Sequence, residues 1–304
     1  MKLSVSVIIP TYQRPDYLRE TIESVWEQTV LPDEIIIGDD SPGDESEEMV
    51  NRLLIPQSPI PIRYFHHKPS LKEVANVDFQ YAQVNSDCIL HLHDDDPIYP
   101  RCNELLKAAL ESHPECVASF GLQRIIREDG SLVADSEGVN KFFFRTPDRA
   151  GVVDGFTAGA ISMFPNNGFM VRTQAARSIG YSDQGRAGLA TDFYFGFRLG
   201  QLRKSFYLVN DFTAKVRITG QSQSRVAGSD NAYRQIKILL ADLKPNDFTP
   251  EVEQVLQRTM PLAITTAALK KERRQALQWL FSRYYRHHIL TPRGIKRLLL
   301  ILKP

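Results

Sequence analysis

The sequence predicts an α/β protein, a mostly parallel central sheet with helices on both faces, followed by a C-terminal helical basic extension. Three observations carry this. Short apolar runs alternate with helix-period segments over the first 125 residues. Three of these runs lead into polar or acidic clusters: Thr11–Arg14, Asp39–Asp44 and His93–Asp96. Beyond Asn231 the chain reads as helical, and Lys and Arg accumulate over residues 261–304. A strand–helix–strand rhythm implies parallel neighbours joined by crossovers, with ligands bound beyond the carboxyl ends of the strands.

Ser4–Pro10 carries Val5, Val7, Ile8 and Ile9 and reads as a buried first strand. After the polar turn Thr11–Arg14, Pro15 and Asp16 open a helix, since proline suits the first turn and an acid favours its positive end. Leu18, Ile22, Val25 and Trp26 form its apolar face. Glu34–Gly38, with three consecutive isoleucines, is the second strand, and a helix follows over Glu45–Leu54. Ile62–His66 is the third strand, Leu71–Gln83 a helix, and Cys88–Leu92 the fourth strand. Next come a helix over Asn103–Ser112 and a strand over Val117–Ile126, with Asp129-Gly130 turning towards a hairpin partner at Leu132–Ala134. Residues 140–165 show no clear period. Gly168–Arg172 reads as a strand, Thr173–Ile179 as a helix closed by Gly180, Ala190–Gly200 as a helix and Phe206–Asn210 as a strand. Gly220–Gly228 is polar and predicts a mobile loop.

The composition, 42% hydrophobic and 24% charged in 304 residues, excludes a disordered chain, a collagen and a disulfide-stapled module. Cys88, Cys102 and Cys116, with no CxxC, predict reduced thiols in a cytosol-facing protein. No secretory signal and no run of about 20 apolar residues is visible. The net charge of +1 hides an asymmetry: residues 261–304 hold ten Lys or Arg and one acid, Glu272. The remainder is therefore acidic. A basic end calls for an anionic partner.

Asp94-Asp95-Asp96 crowds three carboxylates at a strand end, where they repel unless a cation or hydrogen-bond donors answer them. Hard oxygen ligands suit Mg²⁺ or Mn²⁺ with substrate phosphates completing the shell; a solvated turn with a helix cap is the plainer reading. Asp39-Asp40 can accept from a base N–H or ribose hydroxyls, or form an Asx turn. His91, His93 and Asp95 alternate, the pattern of a metal site on a strand. The glycines of a dinucleotide fingerprint and the P-loop motif are missing, which sets aside a dehydrogenase and a P-loop enzyme.

VSVIIPTYQRPDYLRETIESVWEQT, DEIIIGDDSPGD and CILHLHDDDPIYP, in that order and at roughly 30- and 55-residue spacings, resemble the family 2 glycosyltransferases of GT-A fold. The likeness is dense over residues 4–125 and thins through Asn167–Arg172, Thr191–Gly200 and Val216–Ser224. It implies an inverting, nucleotide-sugar-dependent enzyme with a GT-A domain over residues 1–230, split at 125 into nucleotide and acceptor halves, and a helical basic region over 231–304. By this resemblance Pro10, Thr11 and Tyr12 form the nucleotide-base platform, with Arg14 in the same turn. Asp39 contacts base or ribose and Asp40 supports the turn. Asp95 takes the ligand position for Mn²⁺ or Mg²⁺, Asp94 beside it near the ribose is expected both to bind nucleotide and to join the metal site, and Asp96 is structural. Lys72, with Lys68, is a candidate for the diphosphate, as is Arg217. Asp192 matches the family's general base, followed in order of candidacy by Asp183 and Asp230. His93, Thr191 and Thr219 depart from the pattern, and they keep open a catalytically inactive relative that binds nucleotide or glycan or scaffolds an assembly. The resemblance further implies a UDP-sugar donor, a glycan or lipid-linked acceptor in surface polysaccharide or glycoconjugate synthesis, and no nucleic acid. A cytoplasmic location is expected, with the basic end and Trp279, Phe281, Tyr284 and Tyr285 meeting the anionic inner face of a membrane.

Overall fold

A computed structural model describes residues 2–181, 185–219 and 223–303. In chain order the elements are β1 (Val5–Thr11), α1 (Pro15–Trp26), β2 (Glu34–Asp39), α2 (Glu45–Met49), β3 (Ile62–His66), α3 (Glu73–Gln83), β4 (Cys88–His91), α4 (Cys102–Ser112) and β5 (Cys116–Ile126). They continue with α5 (Ser136–Phe142), β6 (Gly151–Asp154), α6 (Gly155–Ala160), β7 (Phe169–Arg172), α7 (Thr173–Ile179), α8 (Thr191–Gln201) and β8 (Ser205–Arg217). Four helices close the chain: α9 (Gln223–Asp242), α10 (Pro250–Leu269), α11 (Arg273–Leu280) and α12 (Pro292–Leu302).

The chain forms two compact units, Met1–Asp183 with Phe195–Thr219, and Gln184–Tyr194 with Gly220–Pro304. The expected boundary at 230 thus falls within α9. The first unit holds an eight-stranded sheet in the order β3-β2-β1-β4-β7-β5-β8-β6. The pairs β3–β2, β2–β1, β1–β4 and β5–β8 are parallel. The strand β7 runs antiparallel between β4 and β5, and β6 antiparallel along β8.

Strand alternation divides the core. Val5, Val7, Ile9, Ile35, Ile37 and Leu90 share one cluster with Leu18, Ile22 and Val25 of α1 and Leu106 and Leu110 of α4. The opposite face carries Ile8, Ile36 and Ile89, all fully buried, and meets α3. Gly38 is on that second face, and a Cβ there would stand 2.0 Å from Asn76 Oδ1 and 2.7 Å from Gln80 Nε2. The missing side chain lets Asn76 Nδ2 donate to the Gly38 carbonyl at 2.8 Å, seating α3 against the end of β2.

Several sequence expectations need correction. The hairpin partner at Leu132–Ala134 is a single bridge, Leu132 to Ile126. Residues 140–165 contain the end of α5 together with β6 and α6. The strand β8 extends to Arg217 because it pairs β5 along its length across register shifts. The supposed mobile loop is helical from Gln223, while residues 220–222 lie outside the described residues. The three cysteines are free and buried, and burial pushes the Cys88 thiol up to about 12 and Cys116 up to about 11.

In the second unit α10 packs against α9, α11 and α12. Its core includes Tyr233, Leu239, Leu256, Ile264, Trp279, Leu280 and Ile301. Among the described residues, no helix is long and apolar enough to cross a membrane.

Gly38→Ala is expected to cost about 1–3 kcal/mol, the usual penalty for overpacking a filled site, because Asn76 and Gln80 on α3 must retreat. Urea midpoints of the two proteins measure it; equal midpoints would show that the contact gives way freely.

Candidate active site

Parallel register brings the strand ends together. Thr11 of β1 pairs with Asp39 of β2, and Asp39 with His66 of β3. β4 ends one residue before Leu92, whose N–H bonds the Ile8 carbonyl at 3.1 Å, so His93–Asp96 emerge beside β1. A cleft of about 390 Å³ opens here between Gln13 and Pro15 on one side and Ser41, Pro42, Gly43, Glu45 and Ser46 on the other.

Asp94 is buried and turns back to β1. Its Oδ2 accepts from Thr11 Oγ1 at 2.8 Å and from the Tyr12 N–H at 3.3 Å, and its Oδ1 from Arg14 Nη1 at 3.3 Å. The same Arg14 nitrogen reaches Asp95 Oδ2 at 2.8 Å. Burial, with Asp95 adding to it, pushes the Asp94 carboxyl up to about 6 against the pull of Arg14, Thr11 and Tyr12. The turn thereby held leaves the Tyr12 ring exposed.

Both oxygens of fully buried Asp39 are engaged, Oδ1 by the Ser41 N–H at 2.7 Å and Oδ2 by the Tyr64 hydroxyl. Asp40 supports the turn: its N–H donates to the Thr11 carbonyl at 3.1 Å and its Oδ1 accepts from the Leu71 N–H at 3.0 Å. His66 lies between Glu47 Oε2 (2.7 Å) and the Ser41 carbonyl (2.8 Å). Burial opposes its charge, yet these two acceptors raise its pKa above the ordinary value.

Arg217, at the end of β8, ties the acidic segment to the rest of this unit. Its side chain is 1% exposed. Nε donates to the Asp95 carbonyl at 2.9 Å, Nη1 to the Glu128 carbonyl at 2.9 Å, and Nη2 to Glu20 Oε2 at 2.5 Å. Its backbone N–H donates to Asp96 Oδ1 at 2.7 Å. The guanidinium is therefore spent on protein oxygens, which corrects its expected phosphate contact. Asn167 completes the frame, its Oδ1 accepting from the His93 N–H at 2.7 Å.

His93, Asp95 and Asp96 bring one ligand atom each within 4.8 Å of one another. Two carboxylates and an imidazole could together hold a divalent cation. Asp95 thus joins the expected cation group. Asp94 is outside this trio and faces the β1 turn, while Asp96, expected to be structural, is both buried and within it. The proposed alternation of His91, His93 and Asp95 does not form a site. β4 ends at His91, which is fully buried against the Tyr81 hydroxyl (3.0 Å) and is kept neutral by desolvation.

Lys72 is exposed at the start of α3 with φ +72°, and Lys68 pairs with Asp44. Asp192 occupies the first turn of α8, one residue after Thr191, whose hydroxyl caps the Gly188 carbonyl at 2.8 Å. Asp230 is paired with Arg234 and Lys270, and Asp183 lies outside the described residues. Sequence reasoning missed Ser41, Tyr64, Asn167 and the clamp made by Arg217. Tyr64 alone had a sequence signal, as the one polar-tipped aromatic within the third strand.

Fold and site together define an α/β protein that gathers carboxylates at the carboxyl ends of the parallel strands β1, β2 and β4. Residues 6–171 match Glycosyl transferase family 2, and the chain belongs to that family. It is 32% identical over 110 residues to the uncharacterized glycosyltransferase YwdF of Bacillus subtilis (strain 168), a stretch covering 36% of this chain and 39% of that protein. The chain thus spans about two fifths of that relative's length. Its fold is similar to S. aureus TarS 1–349 in complex with UDP (TM-score 0.64, 15% identity, covering 97% of this chain and 88% of that one). It is similar also to the mannosyltransferase PcManGT from Pyrobaculum calidifontis in complex with GDP-Man and Mn²⁺ (TM-score 0.63, 13% identity, 99% and 86%). The GT-A fold, a mixed sheet with surrounding helices and a C-terminal helical extension, is therefore established.

Two predictions follow from this geometry. In metal-free protein Asp94 takes up its proton near pH 6 when folded and near 4 when unfolded. The folded state binds the extra proton between these values, so the Asp94 contribution is present below about pH 4 and lost by about pH 6, at most about 3 kcal/mol. Urea unfolding of wild type and Asp94→Asn in chelator across this range should show it; parallel pH profiles would refute it. Arg217→Met removes a donor from the carbonyls of Asp95, Arg127 and Glu128 and from Glu20, and stability is expected to fall by about 1–3 kcal/mol. A denaturant midpoint within error of wild type would show that the clamp is dispensable.

Proposed function

We propose that this chain transfers a sugar, with inversion, from a nucleotide-diphosphate sugar to a glycan or lipid-linked acceptor. The meeting of Asp39 and Asp94 at Thr11, at the carboxyl end of β1 on a family 2 fold, supports the reading. A UDP-sugar is the favoured donor, supported by the fold's likeness to TarS in complex with UDP and UDP-GlcNAc. The role falls in surface polysaccharide or glycoconjugate synthesis, at the cytoplasmic face of an anionic membrane that the basic residues 261–304 attract.

Each residue then has a task. Asp94 fixes the Thr11–Arg14 turn and so presents Tyr12 as a stacking surface for the base. Ser41 and Tyr64 hold fully buried Asp39 rigid, and Asp39 is assigned to a base N–H or ribose hydroxyl that would take the place of the Tyr64 hydroxyl. Arg14 balances Asp94 and Asp95 and places a cation beside the cleft. Lys72 is assigned to the diphosphate. His93, Asp95 and Asp96 would hold Mn²⁺ or Mg²⁺, which when bound offsets the charge of the departing diphosphate. Asp192 is assigned as the base that takes the acceptor hydroxyl's proton, because a single displacement needs one base and no protonating acid.

Asp192→Asn is expected to lower turnover by about 10²–10⁴-fold with donor affinity nearly unchanged, the range of a base acting in the transition state. Asp95→Asn should weaken both. Turnover of UDP-sugars by the two variants, alongside matched thermal melts, makes the comparison; loss of less than about tenfold in Asp192→Asn would remove the base assignment. Calorimetric titration of UDP with Mn²⁺, Mg²⁺ or chelator tests the cation, and equal affinity in all three would exclude it from the site. Absence of any nucleotide-sugar turnover, with UDP still bound, would favour the inactive, ligand-binding relative.

A further inference from the structure

The membrane contact proposed above was expected to use the aromatic residues of the basic end. Trp279, Tyr284 and Tyr285 are instead buried, at 4%, 9% and 3% exposure. They belong to the core of the second unit, and of the four only Phe281 reaches solvent.

The exposed apolar surface lies elsewhere, on α12. One side of this helix is anchored. A Cβ at Gly294 would meet the His288 carbonyl at 2.0 Å, Ile301 is fully buried, and Arg297 bonds the Pro261 carbonyl at 2.9 Å and the Tyr285 hydroxyl at 2.9 Å. The other side carries Ile295, Leu299 and Leu302 at i, i+4 and i+7, which are 46%, 63% and 60% exposed. Leu290, just ahead of the helix, is 89% exposed. Arg293, Lys296 and Lys303 flank this stripe and are also exposed. No Asp or Glu occurs after Glu272 to neutralise them.

A helix fixed by one face, with an outward apolar stripe that cations border along one side, has the chemistry of an interfacial anchor. We infer that α12 lies in the surface of an anionic bilayer, with Ile295, Leu299 and Leu302 entering the acyl boundary and Arg293, Lys296 and Lys303 meeting lipid phosphates. This rests on the proposed membrane contact and assigns it to one helix face. The absence of acidic residues favours an anionic bilayer over a second copy of the chain, which would bring its own cations against these.

The test is sedimentation of the full chain with vesicles of phosphatidylcholine containing about one third phosphatidylglycerol, at low and high salt. Wild type should bind at low salt. The triple change Ile295→Ser, Leu299→Ser and Leu302→Ser touches only exposed side chains and should leave the thermal melt unchanged while weakening binding about a hundredfold or more. Lys296→Glu with Lys303→Glu should also release the protein. No binding by wild type at low salt would overturn both the membrane contact and the anchor. Binding that survives the serine changes but is lost at high salt would keep a membrane contact and overturn the assignment to α12. Concentration-dependent dimers in analytical ultracentrifugation, abolished by the serine changes, would identify the face as a self-interface and overturn the anchor. Turnover with a water-soluble acceptor, measured in parallel, separates these results from the sugar-transfer reading, because α12 carries no assigned catalytic group.

Discussion

Like charges crowded after β4 repel, and their burial magnifies the repulsion. Much of the first unit is arranged against that force. Arg14 reaches back from the β1 turn to two of the carboxylates, and Arg217 arrives from β8 to bond the third through its backbone and the Asp95 carbonyl through its side chain. The two arginines differ in kind. Arg14 remains partly in solvent and can exchange partners when an anionic ligand enters, whereas Arg217 is walled in and serves as framework. The balance stays incomplete, since burial still raises the Asp94 and Asp96 carboxyls. A site left short of positive charge attracts cations, so the strain and the proposed activity share a source.

The first half of the fold was legible because its signals are local. Consecutive apolar β-branched residues at Val7–Ile9 and Ile35–Ile37 can only be buried strands, and Pro15 and Asp16 mark a helix start by their own chemistry. The acidic clusters were legible for the same reason. What stayed hidden depends on pairing between distant segments. Nothing in Phe169–Arg172 states that it runs antiparallel, and nothing in Arg217 states that its side chain turns inward to Asp95 and Glu128.

The basic end shows how composition misleads without a fold. Aromatic residues between arginines read as an interface, but helical packing carried three of them into a core. Arg283 and Arg297 are likewise occupied, by Glu253 and by the Pro261 carbonyl. Formal charge over a segment therefore overstates the charge that a partner would meet.

The reversed strand β7 has a topological consequence. A parallel strand contributes to the candidate site through its last residues. Antiparallel β7 contributes through its first residues instead: Phe169 pairs with His91, and Asn167 just before it fixes the His93 amide. Its far end, Arg172, lies at the opposite edge, paired with Cys88 at the start of β4. The two ends of one four-residue strand thus serve opposite edges of the sheet.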